Sequence, residues 1–360
     1  MLITENPYHL LAERLDALPN GFPSTPDGAE LRLLEKLFTP QEAALAAQLR
    51  MSLETPAEVA ARLGGDPKEI RQMLKSMTQR GLIRAGRAEK GLGYGLLPFV
   101  VGFYENQNGR MDTEMARLFE DYYRQAFGTA LAIQPAFHRV IPVGESVRVD
   151  MEVHPFESAA SLIAGAQSWG VIDCICRTQK ALIGQACEHP RDNCMVLSKQ
   201  PGAFQDSTMI RPLTQEGALA VLKQAARAGL VHSVSNSQGD LGYICNCCTC
   251  SCGILRGMAD LGIANVVARS AFVNQVDETL CQACGDCLEA CMFSALSLAE
   301  IVQVDRLRCV GCGVCVLVCP EDALALVRRP EEEIKPVPVN HEEWQVQRAQ
   351  ARKIDIRQVL

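Results

Sequence analysis

No cysteine precedes Cys174, although the chain carries 17 of them among 360 residues. Whatever the thiols do is confined to the stretch from Cys174 to Cys319, and the first half of the chain does something else. Aromatic residues make up only 5%, beside 48% hydrophobic and 21% charged residues, the balance of a globular protein. No apolar run reaches the ~18 residues that a membrane-spanning helix needs. The start, MLITENPYHLLAERLD, lacks the basic-then-apolar order of a secretory signal, so a cytoplasmic location is expected. There is no phosphate-binding G-x-x-x-x-G-K-[ST] loop and no G-x-S-x-G nucleophile elbow. The six histidines, His138, His154 and His232 among them, are scattered, and no acid–base pair stands out. A net charge of −7 argues against wholesale nucleic-acid binding.

What is present in abundance is thiol. In a reducing compartment, a dense cysteine set is read as metal-binding rather than disulfide-forming. Ahead of it, residues 1–104 read as helices followed by a hairpin. Thr39-Pro40, Thr55-Pro56 and Asp66-Pro67 are helix starts, with Gly64 and Gly81 as stops. LIRAGRAEKGLGYGLLPF then alternates, turns at glycine and returns, and its GLGYG is a turn sequence. This order resembles a winged helix-turn-helix. Residues 105–169 read as a helical and then extended connector, residues 170–269 as a Cys-rich middle domain. Residues 270–329 hold the last eight cysteines, and residues 330–360 form a Pro-rich, charged tail ending in a short helix. The expected fold class is α+β.

Residues 281–291 read CQACGDCLEAC and residues 309–320 read CVGCGVCVLVCP. Each is C-x2-C-x2-C-x3-C, and each precedes a similar segment, FSALSLAE and EDALALVR, so the two form an internal repeat. Three cysteines two residues apart curl a tight loop around one face of a cubane, and small residues such as Gly285, Gly311 and Gly313 let it close. Zinc also favours C-x2-C pairs, but it does not need four cysteines in eleven residues, twice. The pattern resembles the bacterial two-cluster ferredoxin domain, in which the fourth cysteine of each run ligates the other cluster. The resemblance implies two [4Fe–4S] clusters. One takes Cys281, Cys284, Cys287 and Cys319, and the other takes Cys309, Cys312, Cys315 and Cys291. Met292 departs from the proline that follows the second run at Pro320.

Nine further cysteines lie upstream: Cys174, Cys176, Cys187 and Cys194, then Cys245, Cys247, Cys248, Cys250 and Cys252. Thiolates are soft ligands for iron–sulfur clusters, zinc or copper(I), and an additional [4Fe–4S] cluster or zinc is expected here. A cubane takes four, so one cluster with spare thiols and two clusters both fit. Arg177, His189 and Arg191 stand beside these cysteines, where they offset thiolate charge, bind an anionic ligand, or are surface residues or neighbours of the ligands. Asn236 and Ser237, in the polar loop SNSQGD, are candidates to line a pocket.

Taken end to end, YGLLPFVVGFYENQ, DCICR, SNSQGDLGYICNCCTCSCGILR and the two cysteine runs resemble a group of bacterial 4Fe–4S-binding proteins with a winged-helix-like start. Ser251 stands where that group often has a further cysteine. The resemblance implies cluster binding and electron transfer, as a carrier or a redox-enzyme subunit working with redox partner proteins. It supplies no substrate and no catalytic residue, so whether the chain is itself an oxidoreductase stays open. The second reading is a redox-sensing regulator that binds DNA. For that role Lys68, Arg71, Lys75, Arg80, Arg84, Arg87 and Lys90 are the positive charges of helix and wing.

Overall fold

Side-chain caps set the helix starts near the N-terminus. The helices are α1 (Pro7–Asp16), α2 (Ala29–Leu37), α3 (Pro40–Ala46), α4 (Pro56–Leu63), α5 (Pro67–Gln79) and α6 (Thr113–Tyr122). Thr39 and Thr55 each accept a hydrogen bond from the backbone N–H of Glu42 and Glu58, both at 3.3 Å. Each glutamate carboxylate accepts in return from the threonine N–H, at 2.9 Å. These are two complete capping boxes. Asp66 caps α5, and α4 stops at Gly64 in the left-handed conformation. A hairpin of β1 (Ile83–Ala88) and β2 (Gly91–Leu96) follows, paired from Ile83↔Leu96 to Ala88↔Gly91.

The computed structural model describes residues 6–239 and 241–358. The first five residues, Asp240 of the SNSQGD loop and the last two residues lie outside them. Two compact units result, one from residues up to Gln134 with residues from Gln345 onward, the other from Pro135–Trp344. The α+β expectation agrees with this mixture of helix and strand. No helix among the described residues is long and apolar enough to cross a membrane.

The few aromatic residues are concentrated in the first unit. Phe99 packs its ring against Phe22, Phe119, Tyr122 and Phe127 at centroid separations between 4.9 and 5.6 Å. The C-terminal helix, His341–Ala351, sends Arg348 into the same unit. That side chain is fully buried, its guanidinium donating to the carbonyls of Pro19 at 3.0 Å and Ala130 at 2.6 Å. The short helix expected at the end of the tail is thus anchored through backbone acceptors, which no local pattern encodes.

The second unit is built on strands β3 (His138–Ile141), β4 (Ser168–Ile172), β5 (Cys194–Ser198), β6 (Arg211–Leu213), β7 (Val231–Ser235), β8 (Tyr243–Cys247) and β9 (Val267–Ala268). They form one sheet in the order β6-β4-β5-β8-β7-β3-β9, antiparallel throughout except for β3 against β9. β3 comes from the extended stretch read as a connector. Met195, Leu197, Val234 and Ile244 bury an apolar core with Ala159, Ile163 and Ala218, from helices Ala159–Ala164 and Gln215–Arg227. Side chains alternate along a strand, so Cys194, Cys245 and Cys247 point away from the face of Met195 and Ile244. Beyond the sheet come β10 (Phe272–Val276), β11 (Leu296–Leu298), β12 (Val302–Val304) and β13 (Leu324–Arg328). β10 pairs with β13 and β11 with β12, both antiparallel.

The aromatic cluster yields a stability prediction. Phe99→Ala is expected to cost about 3–5 kcal/mol, because a large buried side chain leaves a cavity behind. Thr55→Ala is expected to cost about 1 kcal/mol through loss of its cap. Denaturant unfolding followed by far-UV circular dichroism measures both, and similar losses for the two would contradict the packing described.

Candidate metal centres

The two cysteine runs repeat in space as well as in sequence. Cys281 and Cys309 stand 28 positions apart, as do their three counterparts. The backbone follows the same rule. Ala283 and Gly311 have φ of 54° and 69°, Gly285 and Gly313 have 91° and 78°, and Ser294 and Asp322 have 49° and 50°. Cys291 Sγ accepts from the N–H of Ala295 and Cys319 Sγ from that of Ala323, each at 3.3 Å. The second loop lies hard against its surroundings. A Cβ on Gly311 would meet the carbonyl oxygen of Phe272 at 2.1 Å, and one on Gly313 would meet Ser146 Oγ at 1.9 Å. Glycine there is a steric requirement as well as a conformational one.

The runs cross over. Burial pushes the Cys287 thiol up to about 11, with Cys284, Cys319 and Cys281 adding to it. Burial likewise pushes Cys312 up to about 12, with Cys309 and Cys291 as its thiol neighbours. Cys315 is raised by burial and then by Cys312, Cys291 and Cys309. The last cysteine of each run therefore lies within electrostatic reach of the other run, Cys319 of Cys287 and Cys291 of Cys312 and Cys315. Asn274 on β10, which sequence reading passed over, donates from Nδ2 to Cys315 Sγ at 3.2 Å. An asparagine in a strand carries no signal of this role until β10 is placed beside the loop.

The nine upstream cysteines divide into two sets. Strand register assembles the first: Ile172 at the end of β4 pairs with Cys194 at the start of β5, and Met195 pairs with Ile244, next to Cys245. Cys174 follows β4 directly, and Cys176 lies on helix Ile175–Leu182. Six thiols then form a closed circuit of neighbours that shift one another's proton affinity. Cys174 neighbours Cys176 and Cys194, Cys194 neighbours Cys245, and Cys245 neighbours Cys247. Cys252 joins Cys247 to Cys176. Hydrogen bonds from Cys176 and Cys194 hold the Cys174 thiol well below the ordinary range. Those from Cys245 and Cys252 bring Cys247 down to about 7.

The second set is Cys187, His189, Cys248 and Cys250, whose ligand atoms all lie within 4.8 Å of one another. Cys187 and His189 come from the loop after helix Ile175–Leu182, Cys248 and Cys250 from the turn after β8. His189, read from sequence as a neighbour of the cysteines with its role open, presents Nδ1 to Cys250 Sγ at 3.6 Å. Ser251 Oγ lies 3.4 Å from Cys187 Sγ. Arg177 stands between the two sets. Its guanidinium is 3% exposed, donates to Asn193 Oδ1 at 2.9 Å and to the Asn246 carbonyl at 3.1 Å, and reaches Cys248 Sγ at 3.4 Å. Burial disfavours its charge, but the thiolates of Cys174, Cys248 and Cys247 hold it above its ordinary value. Its Nε is buried with no hydrogen-bond partner among the described residues. A buried cation so placed calls for anionic neighbours.

The remaining sequence candidates lie outside these sets. Asn236 donates to the Ala136 carbonyl at 3.1 Å and Ser237 to the Gly239 carbonyl at 2.9 Å, both holding the backbone. Arg191 is exposed, and its carbonyl accepts from the Cys174 N–H at 2.7 Å. His138 and His232 are buried and held neutral, each lowered to about 4 by burial.

Residues 302–325 match the 4Fe-4S binding domain. That stretch contains the second cysteine run and supports at least one [4Fe–4S] cluster on this chain. The first run, its spatial repeat, lies outside the matched residues. No curated protein and no solved structure gives a match. The donor set fits the cluster: thiolates in an apolar pocket with Val302 and Leu324, met by N–H donors.

The raised thiols give a pH dependence. Without metal, the fold prefers Cys287 and Cys312 protonated, so the folded chain binds more protons than the unfolded one above the ordinary thiol range. Stability of the metal-free chain is therefore full below that range and lost as pH rises toward about 11 to 12. Metal binding needs thiolate and releases those protons, so the loaded chain is expected not to show this loss. Urea midpoints of metal-free and loaded protein across this range test it, and parallel curves would contradict it.

Proposed function

We propose that the chain is an iron–sulfur electron-transfer protein, a carrier or a subunit of a redox enzyme. In this reading Cys281, Cys284, Cys287 and Cys319 hold one [4Fe–4S] cluster, and Cys309, Cys312, Cys315 and Cys291 hold another. The segment around them is then a two-cluster ferredoxin-like unit. The observation that carries the reading is the crossover of the fourth cysteines between two loops of matching backbone geometry. Bound there, such clusters supply one-electron transfer at potentials set by charge, hydrogen bonds and solvent access.

The chain's own residues tune and connect that chemistry. N–H donors from Ala295, Ala323 and Asn274 lower the electron density on Cys291, Cys319 and Cys315. Met292, the residue that departs from the proline of the second run, packs onto the cluster of Cys248, Ala225 and Leu230 beside Cys187. It joins the backbone of one cluster ligand, Cys291, to the Cys-rich region. The six-thiol ring offers the four ligands of a cubane with two to spare.

Anaerobically purified protein is expected to contain about eight irons and eight labile sulfides from the two runs, or about twelve with a cubane in the ring. Replacing Cys281 by Ala is expected to remove about four irons and simplify the EPR spectrum of the dithionite-reduced protein. Iron below about four per chain, with another metal in its place, would overturn the reading. Asn274→Leu is expected to lower one of the reduction potentials, because a hydrogen bond to a thiolate favours the reduced state. An EPR-monitored redox titration measures this, and an unchanged or raised potential would contradict it.

A second reading rests on the exposed side of α5. There Lys68, Arg71 and Lys75 recur at helical spacing, ahead of a hairpin that carries exposed Arg87. Helices and hairpin in this order are winged-helix-like. Three charges expected to join this face are engaged within the chain: Arg80 with Glu42, Arg84 with the Met51 carbonyl, and Lys90 with Glu58. If the face binds duplex DNA, affinity falls steeply with salt, and the triple variant K68A/R71A/K75A reduces it across all sequences. No binding at low salt would remove this reading.

A further inference from the structure

We infer that Cys187, His189, Cys248 and Cys250 form a closed, single-ion zinc site, separate from the six-thiol ring. The inference deepens the reading of the middle cysteines as metal ligands by assigning different metals to the two sets.

Spacing decides between one ion and a cluster. A tetrahedral zinc, with Zn–S ~2.3 Å and Zn–N ~2.0 Å, sets S···N edges at ~3.5 Å and S···S edges at ~3.8 Å. The His189 Nδ1 to Cys250 Sγ separation is 3.6 Å, and all four ligand atoms fall within 4.8 Å of one another. A cubane seats each thiolate on a different iron and spreads its ligands farther apart than a single ion does. Three thiolates and one imidazole are also one of the donor sets of structural zinc, soft enough for zinc and without an open position.

The surroundings fit the charge that this ion would carry. Zinc with three thiolates and a neutral imidazole leaves a single negative charge. The buried guanidinium of Arg177, 3.4 Å from Cys248 Sγ, balances it. Ser251 Oγ, fully buried and 3.4 Å from Cys187 Sγ, can donate a hydrogen bond to that thiolate.

The site also has a task. Its ligands come from the loop between helix Ile175–Leu182 and β5, and from the turn after β8. The first segment runs directly into the ring thiol Cys194 at the start of β5, and the second carries Cys252. Zinc is redox-silent, so it clips the segments in place whatever the oxidation state of the ring. It also fixes Cys248, which shares an apolar cluster with Met292.

The test scores zinc and iron separately on the full-length chain, purified anaerobically and exposed to a mild chelator. About one tightly held zinc per chain is expected in the parent protein. His189→Ala and Cys250→Ala are expected to lose it at least ten-fold faster to the chelator while keeping their iron. Cys250→His keeps a fourth donor and is expected to retain zinc, which separates ligand loss from misfolding. Cobalt(II) added to zinc-stripped protein is expected to give intense tetrahedral d–d bands and thiolate charge transfer, the latter weakened in Cys250→His. Zinc present without iron would leave the site standing and overturn the electron-transfer reading. Iron without zinc, zinc unaffected by both alanine variants, or loss of about four irons in them would overturn the site.

Discussion

A dense patch of thiol inside a protein is tolerable only if its charge is answered locally. Each thiolate removed from water costs several kcal/mol unless a cation or a metal stands beside it. Arg177 is where this chain meets that demand from its own residues. It is buried among Asn193, Asn246 and Cys248, and it lies within the field of Cys174 and Cys247. His232 Nδ1 meets Asn246 Oδ1 at 2.6 Å, and Asn246 donates to the Asn193 carbonyl at 2.6 Å, so the guanidinium is held in a rigid polar frame. The positions of the two upstream thiol sets follow from that fixed charge and from the sheet on which they sit.

The sheet works by parity. One face of β5 and β8 buries Met195, Leu197 and Ile244 in the apolar core. The alternate residues of the same strands, Cys194, Cys245 and Cys247, are thereby turned together to the other side. Antiparallel register then brings the end of β4 and the start of β5 to the same place as the end of β8. A one-residue slip would send each thiol into the core, so the hydrophobic face and the thiol set enforce each other. The second cysteine loop is held differently, by close approach: Gly311 under the Phe272 carbonyl, Gly313 under Ser146, and Val143 N–H to the Cys312 carbonyl at 2.9 Å.

Three kinds of thiol environment thus lie in one unit: two crossed loops, a six-membered ring, and a mixed thiol–imidazole set. In the proposed electron-transfer reading, Met292 is an apolar link between the cysteine loops and the Cys-rich region. In that reading a fixed scaffold is the useful property, because little reorganisation around a buried charge keeps one-electron transfer fast.

Spacing alone made the two C-x2-C-x2-C-x3-C runs legible, since three ligands within one loop need only local curvature and glycine to close. Thr-Pro and Asp-Pro helix starts were legible for the same reason: a cap and a fixed φ act over three or four residues. The division of the other nine cysteines was not legible. Neighbours in sequence, Cys247 and Cys248, go to different sets, while Cys174 and Cys245 share one across 71 positions. Strand register decides that, and register is a property of paired strands. His189 as a possible ligand, Asn274 as a donor to Cys315 and Arg348 as an anchor became visible only once distant backbone was brought against them. Local chemistry was written in the order of residues; which thiols share a site was decided by the sheet.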